Sequence, residues 1–387
     1  MRFLCLLFCL ACLDARALTE EELQGFINDA IKAGGGEVVI PPGTHLISKG
    51  LQVKDAKKLR IVGIDMERTL LKLPPLAFAE TAGAAQAGDL RLETKRIQGL
   101  KPGQPIQIEA DGEIEPFTKK PKPYQRTVVE KIEGQVLVLK SALTFPVPAG
   151  TLIRDPQAPN VFEVRGATDG LTIEKLTLDG GRVAGDPLVR GHVQLCGVLA
   201  QGPYSYDKGV TGAPVKNVTV SRCIIQNCHG RGVAFYAVEG GRVEDCTIMD
   251  TTDEAVDLDH FTTKAVVRHN HVARSSVAVE LNDATNCEVS ANEGRDCGTG
   301  INLWRWCKMP ELNQGNVITG NTFEQMKGNS IQIGRDTARN TIADNDIRDS
   351  GRNGISLSGQ DQTVKSNRIS GSKLKDIHTV EPGALAP

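Results

Sequence analysis

The chain has 387 residues, with 45 Lys and Arg against 47 Asp and Glu, a formal net charge of −2. That balance argues against a nucleic acid or an anionic membrane surface as partner. Glycine is abundant at 40 residues and aromatics make up only 4%, which suits a turn-rich β protein and makes the position of each aromatic informative.

In chain order, the first feature is Arg2, then the apolar run Phe3 to Leu13, then Ala15-Arg16-Ala17. This is the layout of an export signal with cleavage expected after Ala17, which predicts a secreted or periplasmic protein. The run is shorter than the roughly 20 apolar residues that cross a bilayer, so no membrane span is expected. Cys5, Cys9 and Cys12 leave with the signal, and seven of the ten cysteines remain. No two of these seven have CxxC spacing, which argues against a zinc or redox pair. An odd number leaves at least one thiol unpaired, and Cys223 and Cys246 either bridge or fill a core row.

Thr19 and Glu22 form a capping box, and Leu23, Phe26, Ile27, Ala30 and Ile31 make one helical stripe that ends at Gly34-Gly35-Gly36. A solenoid with an open apolar end needs such a cap. The segment Gly35-Gly-Glu-Val-Val-Ile-Pro-Pro-Gly-Thr-His45, followed by Leu-Ile-Ser, resembles the opening coil of the pectate-lyase-like superfamily of right-handed parallel β-helix proteins. With the later repeats, the resemblance covers 18–75 and 159–372. It implies the fold; the superfamily includes polysaccharide lyases, glycoside hydrolases, C5-epimerases and non-enzymes.

Residues 76–158 break the period. Asp89–Thr94, Ile106–Glu109, Thr127–Lys131 and Val136–Leu139 alternate like strands between turns such as Lys119-Lys-Pro-Lys-Pro123. They read as a small inserted β-subdomain. The division expected is 1–17 signal, 18–75 capping helix and first coils, 76–158 insertion, 159–372 β-helix and 373–387 tail.

From Val198 onward one pattern returns every 21 to 35 residues: Gly-Val-Leu-Ala at 197–200, Gly-Val-Ala-Phe at 232–235, Ala-Val-Asp-Leu at 255–258 and Ser-Val-Ala-Val at 276–279. It continues at 300–303, 330–333 and 354–357. A second apolar pair follows, then Cys223, Cys246, Asn270, Asn292, Asn321, Asn345 and Asn367 at one offset. Repeats of this length bury a face only by stacking, and short alternating units argue for strands. The predicted fold is all-β, a right-handed parallel β-helix with an N-terminal capping helix. The Asn column fits an interior amide ladder, on the reasoning that Asn tolerates the left-handed backbone of a turn.

Aligning the repeats places Asp257 in one outward column with Ala278 and Asn302. Asp259, Glu280 and Trp304 fall in the next, with His260, Leu281, Arg305 and Arg335 beside it. Alternate residues on a strand lie about 6.6 Å apart and stacked coils about 4.8 Å apart, so Asp257, Asp259 and Glu280 form a carboxylate triangle with His260 at its edge. Such a cluster needs a cation, a shared proton or solvation. Calcium on Asp257, Asp259 and Glu280 is one solution. Asp257, Asp259, Glu280 and His260 as acid and base groups of a glycan-processing enzyme are another. A solvated polar face with no function is the third.

Two long loops leave the same edge of the coils. Gly202 to Pro214 carries Tyr204, Tyr206 and Lys208, and Trp304 to Gly315 carries both tryptophans, Arg305 and Lys308. At four coils apart they would stand about 19 Å from one another and wall a groove. Trp304, Tyr204 and Tyr206 offer flat faces for sugar rings. Arg305 and Arg335 offer forks for sugar carboxylates, with Lys208 as a further cation and His192 as a lesser candidate. Asp259-His260 is similar to the Asp-Pro-His-Asp of mannuronan C5-epimerases and to the Trp-Ile-Asp-His of one pectate lyase family. The paired-Asp and Gly-His-Gly signatures of polygalacturonases are absent. The expected function is to bind, and to process by lyase, epimerase or hydrolase chemistry, an acidic polysaccharide; the alternative is a non-catalytic glycan-binding or surface solenoid.

Overall fold

A computed structural model describes residues 16–109, 124–156, 159–188, 195–307, 309 and 311–380. The apolar export run, the Lys119–Pro123 turn, His192 and Lys308 lie outside the described residues. The chain winds into a parallel β-helix whose coils each give one strand to three sheets of 12, 10 and 10 strands. Inward residues of successive coils form one apolar core along the axis, from Leu51 and Phe162 through Val256, Leu258, Val279 and Leu281 to Ile355. Among the described residues no helix is long and apolar enough to cross a membrane.

The helix Glu20–Lys32 starts in the capping box, with both reciprocal bonds between Thr19 and Glu22 present. Leu23 and Ile27 enter the main core and close its N-terminal end. The stripe is narrower than its spacing suggests. Phe26 is 46% exposed, because a helix lying across the end of a coil presses only one edge of its apolar face onto it.

After the strand Thr69–Lys72 the chain leaves the solenoid and builds a closed six-stranded barrel from Phe78–Thr81, Arg91–Gln98, Pro105–Glu109, Tyr124–Glu133, Val136–Leu139 and Leu152–Arg154. Its core, including Leu92, Ile106, Ile108, Val129, Leu137 and Ile153, is separate from that of the solenoid. Arg96 and Gln98 reach from the barrel to Asp186 on the β-helix. The chain rejoins at Phe162–Arg165, which pairs with Leu51–Lys54.

Inside the turn between the first and second sheets runs the amide ladder. Asn270 donates to Asn292 at 2.9 Å, Asn292 to Asn321 at 2.9 Å, Asn321 to Asn345 at 3.0 Å and Asn345 to Asn367 at 2.9 Å. Each side-chain oxygen also accepts the backbone N–H of the previous ladder residue, and each amide gives its second hydrogen to a backbone carbonyl such as Val289 O. All donors and acceptors are thereby satisfied in a dry interior. The reason for Asn differs from the one its turn position suggests. The left-handed residue is the one before it — His269, Ala291, Gly320, Asp344 and Ser366, with φ of 52° to 65°. Asn is there for its amide. Shorter amide pairs stand at the other two turns, Asn316 donating to Asn340 and Asn353 to Asn329.

All seven cysteines of the described region are buried free thiols. Cys223 and Cys246 fill the row above the ladder, and the backbone N–H of Cys246 donates to Asn270 Oδ1 at 3.0 Å.

Asn321→Leu removes two donors and one acceptor from this interior. It should lower stability by about 1–3 kcal/mol in denaturant unfolding. Replacing 78–154 by a short Gly/Ser linker should leave a solenoid that still unfolds cooperatively, since a long excursion adds little closure entropy.

Candidate functional site

The site lies on the third sheet, where Val233–Tyr236, Glu254–Asp259, Val277–Asn282 and Thr299–Trp304 are consecutive neighbours. Its register corrects the alignment of repeats. Val256 pairs with Val279 and Asp257 with Glu280, while Asn282 pairs with Trp304. The strand Val277–Asn282 is thus shifted by two residues from the Ser276 start read in the sequence. A two-residue slip keeps every apolar side chain facing inward, so alternation cannot detect it. Asp257, Glu280 and Asn302 now share one column, Asp259 sits beside Tyr236 and Asn282, and Asp283 takes the position expected for Leu281.

The column after the strands is a turn. Ala237, His260 and Asp283 all adopt left-handed backbone, with φ of 51°, 43° and 58°, and this shared bend brings Asp283 alongside the imidazole. His260 Nδ1 is 2.8 Å from Asp259 Oδ1 and 3.8 Å from Asp283 Oδ2. Its Nε2 is 3.4 Å from the Tyr206 hydroxyl. The rings of Tyr204, Tyr206 and Tyr236 stand 4.9, 5.0 and 5.1 Å from the imidazole, so three of the four tyrosines of the chain enclose one histidine.

Next to this group, Arg231 collects carboxylates from the preceding turn and the strand. Its Nε is 2.7 Å from Glu254 Oε2 and 2.6 Å from Asp257 Oδ2, and Asp253 is 3.2 Å from its Nη2. The Tyr236 hydroxyl donates to Asp257 Oδ2 at 2.9 Å. On the other side, Glu280 accepts from Trp304 Nε1 and Asn302 Nδ2, both at 3.0 Å. Asp283 accepts from the backbone N–H groups of Trp306 and Cys307, at 2.8 and 3.0 Å.

The expected open groove is closed. Asp257, Asp259, His260 and Glu280 are 1%, 5%, 8% and 6% exposed. The loops 202–214 and 304–315 do not stand apart: a methyl placed on Gly209 would meet Met309 Cε at 3.6 Å. They meet over the strand because Tyr204 and Tyr206 pack onto His260 from one side, and Asp283 and Glu280 tie down the tryptophan loop from the other. Trp304 and Trp306 pack edge to face with centroids 5.2 Å apart. Lys208 is exposed on the hairpin between Tyr204–Ser205 and Gly209–Val210, Arg305 lies 3.7 Å from Asp336, and Arg335 is exposed two coils from Glu280. The sequence alone did not single out Arg231 or Asp283. A register shift of two would have put Asp283 in line with His260, whereas nothing in the repeat marks Arg231.

Burial would lower the His260 pKa, but the charge and hydrogen bond of Asp259, and then the hydrogen bond of Asp283 and the charge of Asp257, outweigh it and lift the ring to about 9. Burial raises Glu280 to about 7 against the hydrogen bonds from Trp304 and Asn302. Burial also raises Asp257 and Glu254 against the pull of Arg231. The calcium set read from the sequence does not fit. Its ligand atoms do not converge within 4.8 Å, and both Glu280 oxygens and Asp257 Oδ2 are engaged by hydrogen bonds or an ion pair. The group whose ligand atoms do converge, within 4.8 Å, is Asp259, His260 and Asp283.

Residues 204–315 match the family described as "Right handed beta helix region", and residues 260–381 match "Periplasmic copper-binding protein (NosD)". A search of curated proteins finds no match. Among solved structures, the bacteriophage Phi29 gene product 12 N-terminal fragment is 11% identical with a TM-score of 0.51, over 91% of this chain and 62% of that one. The Dettilon tailspike protein is 11% identical with a TM-score of 0.50, over 95% and 67%. The chain is a right-handed parallel β-helix protein.

The raised pKa values give stability a defined pH dependence. A folded-state value above the unfolded one means that folding takes up protons. The Glu280 contribution is therefore complete below pH 4.5 and lost as pH rises through about 7. Glu280→Gln should remove on the order of 1–3 kcal/mol of the stability lost over that window. The His260 contribution is complete below its unfolded value of 6.5 and lost as pH rises through about 9, so the stability gap between wild type and His260→Asn should close above that pH.

Proposed function

We propose that the protein is exported and that it binds an acidic polysaccharide and processes it by proton transfer at His260, through β-elimination, epimerisation or hydrolysis. The observation that carries this reading is an imidazole held between Asp259 and Asp283, with its outer nitrogen at the Tyr206 hydroxyl. Clustered, desolvated and mutually shifted groups of this kind are characteristic of reactive sites. With a pKa near 9 the ring is protonated at neutral pH, so it acts as a proton donor or as the positive partner of a uronate carboxylate. Glu280, near 7, is the group that exchanges a proton in the neutral range. Asp257 and Asp259 hold the charge balance of the pair. Tyr204, Tyr206, Trp304, Lys208 and Arg305 are the proposed sugar contacts.

Support from the sequence comes from the Pro-Pro-Gly-Thr opening coil and from Asp259-His260, which resemble polysaccharide-active β-helix proteins. Export rests on Arg2, the apolar run to Leu13 and the Ala15-Arg16-Ala17 site. A second reading, a glycan-binding solenoid without turnover, is favoured by one observation: all four acid–base candidates are more than nine-tenths buried under the two loops. Reaching them requires the loops to part.

The test is turnover of polygalacturonate and alginate, followed by ultraviolet absorbance for new double bonds, by NMR for inverted C5 centres and by reducing ends for hydrolysis. His260→Ala should lower the rate by 10²-fold or more, the usual contribution of a positioned acid or base, and Tyr206→Phe should lower it less. Activity that survives His260→Ala rejects the assignment. Retention of the glycan with no turnover in the wild type establishes the binding reading.

A further inference from the structure

Beyond Trp304, toward the C-terminus, the third sheet carries an open cleft of about 760 Å³. Its floor continues the column that holds the buried acids. Asp257, Glu280, Asn302, Gln332, Ser356 and His378 are successive partners in register, one per coil. Along this single line the chemistry changes from carboxylate to amide, hydroxyl and imidazole. The change coincides with the edge of the roof: the acids lie under the loops, while Gln332, Ser356 and His378 line the open cleft.

The rim is cationic on both sides. Arg305 and Arg335 follow their strands at one edge of the sheet, and Arg352 and Lys375 precede theirs at the other. Arg335, Arg352 and Lys375 are exposed. Asp336 is the one carboxylate among the described lining residues, and it lies 3.7 Å from Arg305. Four cations against one anion, on a chain of net charge −2, is a local excess that the composition does not require.

We propose that this cleft is a binding subsite for an acidic polysaccharide, separate from the buried group around His260. Floor amides and hydroxyls suit sugar hydroxyls, the rim suits carboxylates or sulfates, and Trp304 closes one end with an indole edge against which a ring can pack. Coils step by about 4.8 Å, close to the length of one pyranose, so successive sugars meet successive coils. A nucleic acid would use the same rim cations, but the cleft offers no row of aromatic platforms for its bases. The inference rests on the proposed class of ligand and not on turnover.

The experiment is affinity electrophoresis of the full chain through gels containing polygalacturonate, alginate or heparin, with dextran as the neutral control and single-stranded DNA as the competing polyanion. Wild type should be retarded by at least one acidic glycan and not by dextran, and added salt should reduce the retardation. Arg335→Ala combined with Arg352→Ala should weaken binding about tenfold. Arg368→Ala, the same kind of charge removal on the second sheet, should leave it unchanged. Those results support the cleft even if no turnover is ever found. Wild-type mobility unaffected by any acidic glycan overturns it, as does a double variant that binds like wild type. In the latter case, turnover lost in His260→Ala would leave the acid–base reading intact. Tighter binding of single-stranded DNA than of any glycan, lost in the double variant, also overturns it.

Discussion

The hydrogen bond that one ladder amide passes to the next holds the coils in register, and the site depends on that register. Asn321 takes the backbone N–H and amide of Asn292 and gives its own to Asn345. An unpaired amide in this dry interior would cost about 1–3 kcal/mol, so a coil that slides along its neighbour loses the bonds of the rung they share. The strands have no comparable preference, because a two-residue slip keeps their apolar faces inward. On the third sheet of the coils so stacked, Asp257 lies against Glu280 and His260 against Asp283.

Placing that many carboxyls side by side would oppose folding if each stood alone in a low dielectric. Two cations answer it. Arg231 serves Asp253, Glu254 and Asp257, and His260 serves Asp259 and Asp283. Glu280 has no cation of its own and is held by two neutral donors, Trp304 and Asn302. Burial moves its carboxyl to about 7 against those two hydrogen bonds. The loops are part of the same arrangement, since Asp283 binds the tryptophan loop by its backbone and Tyr204 and Tyr206 pack on the imidazole. Roof and charge cluster stabilise each other, and opening one exposes the other.

The third sheet thus presents two surfaces along one column: a closed acidic end under the loops and an open end with a neutral floor and cationic rims. One line of outward residues can change character this way because each coil contributes a single side chain to it. A β-helix lets chemistry vary along the axis while the inward residues keep the same apolar core.

Much of the fold was legible in the sequence, because a repeat writes its period into every coil. The capping box at Thr19, the alternating strands and the Asn column each follow from a local rule that neighbours repeat. The candidate residues Asp257, Asp259, His260 and Glu280 were also visible, since they interrupt the expected outward pattern. What stayed hidden depended on the third dimension. The pairing of Asp257 with Glu280 instead of Ala278 turned on a slip that alternation cannot register. Asp283 and Arg231 gained their partners only through turns whose backbone bends no local pattern reveals. The meeting of the loops over His260 came from side chains far apart in sequence, Gly209 and Met309 among them, and it made a buried cluster of what the columns alone portrayed as an open groove. The sequence by itself determined the solenoid, because stacking is a nearest-neighbour property. Which charges touch, and which face water, was decided by tertiary structure, because both depend on register and loop closure.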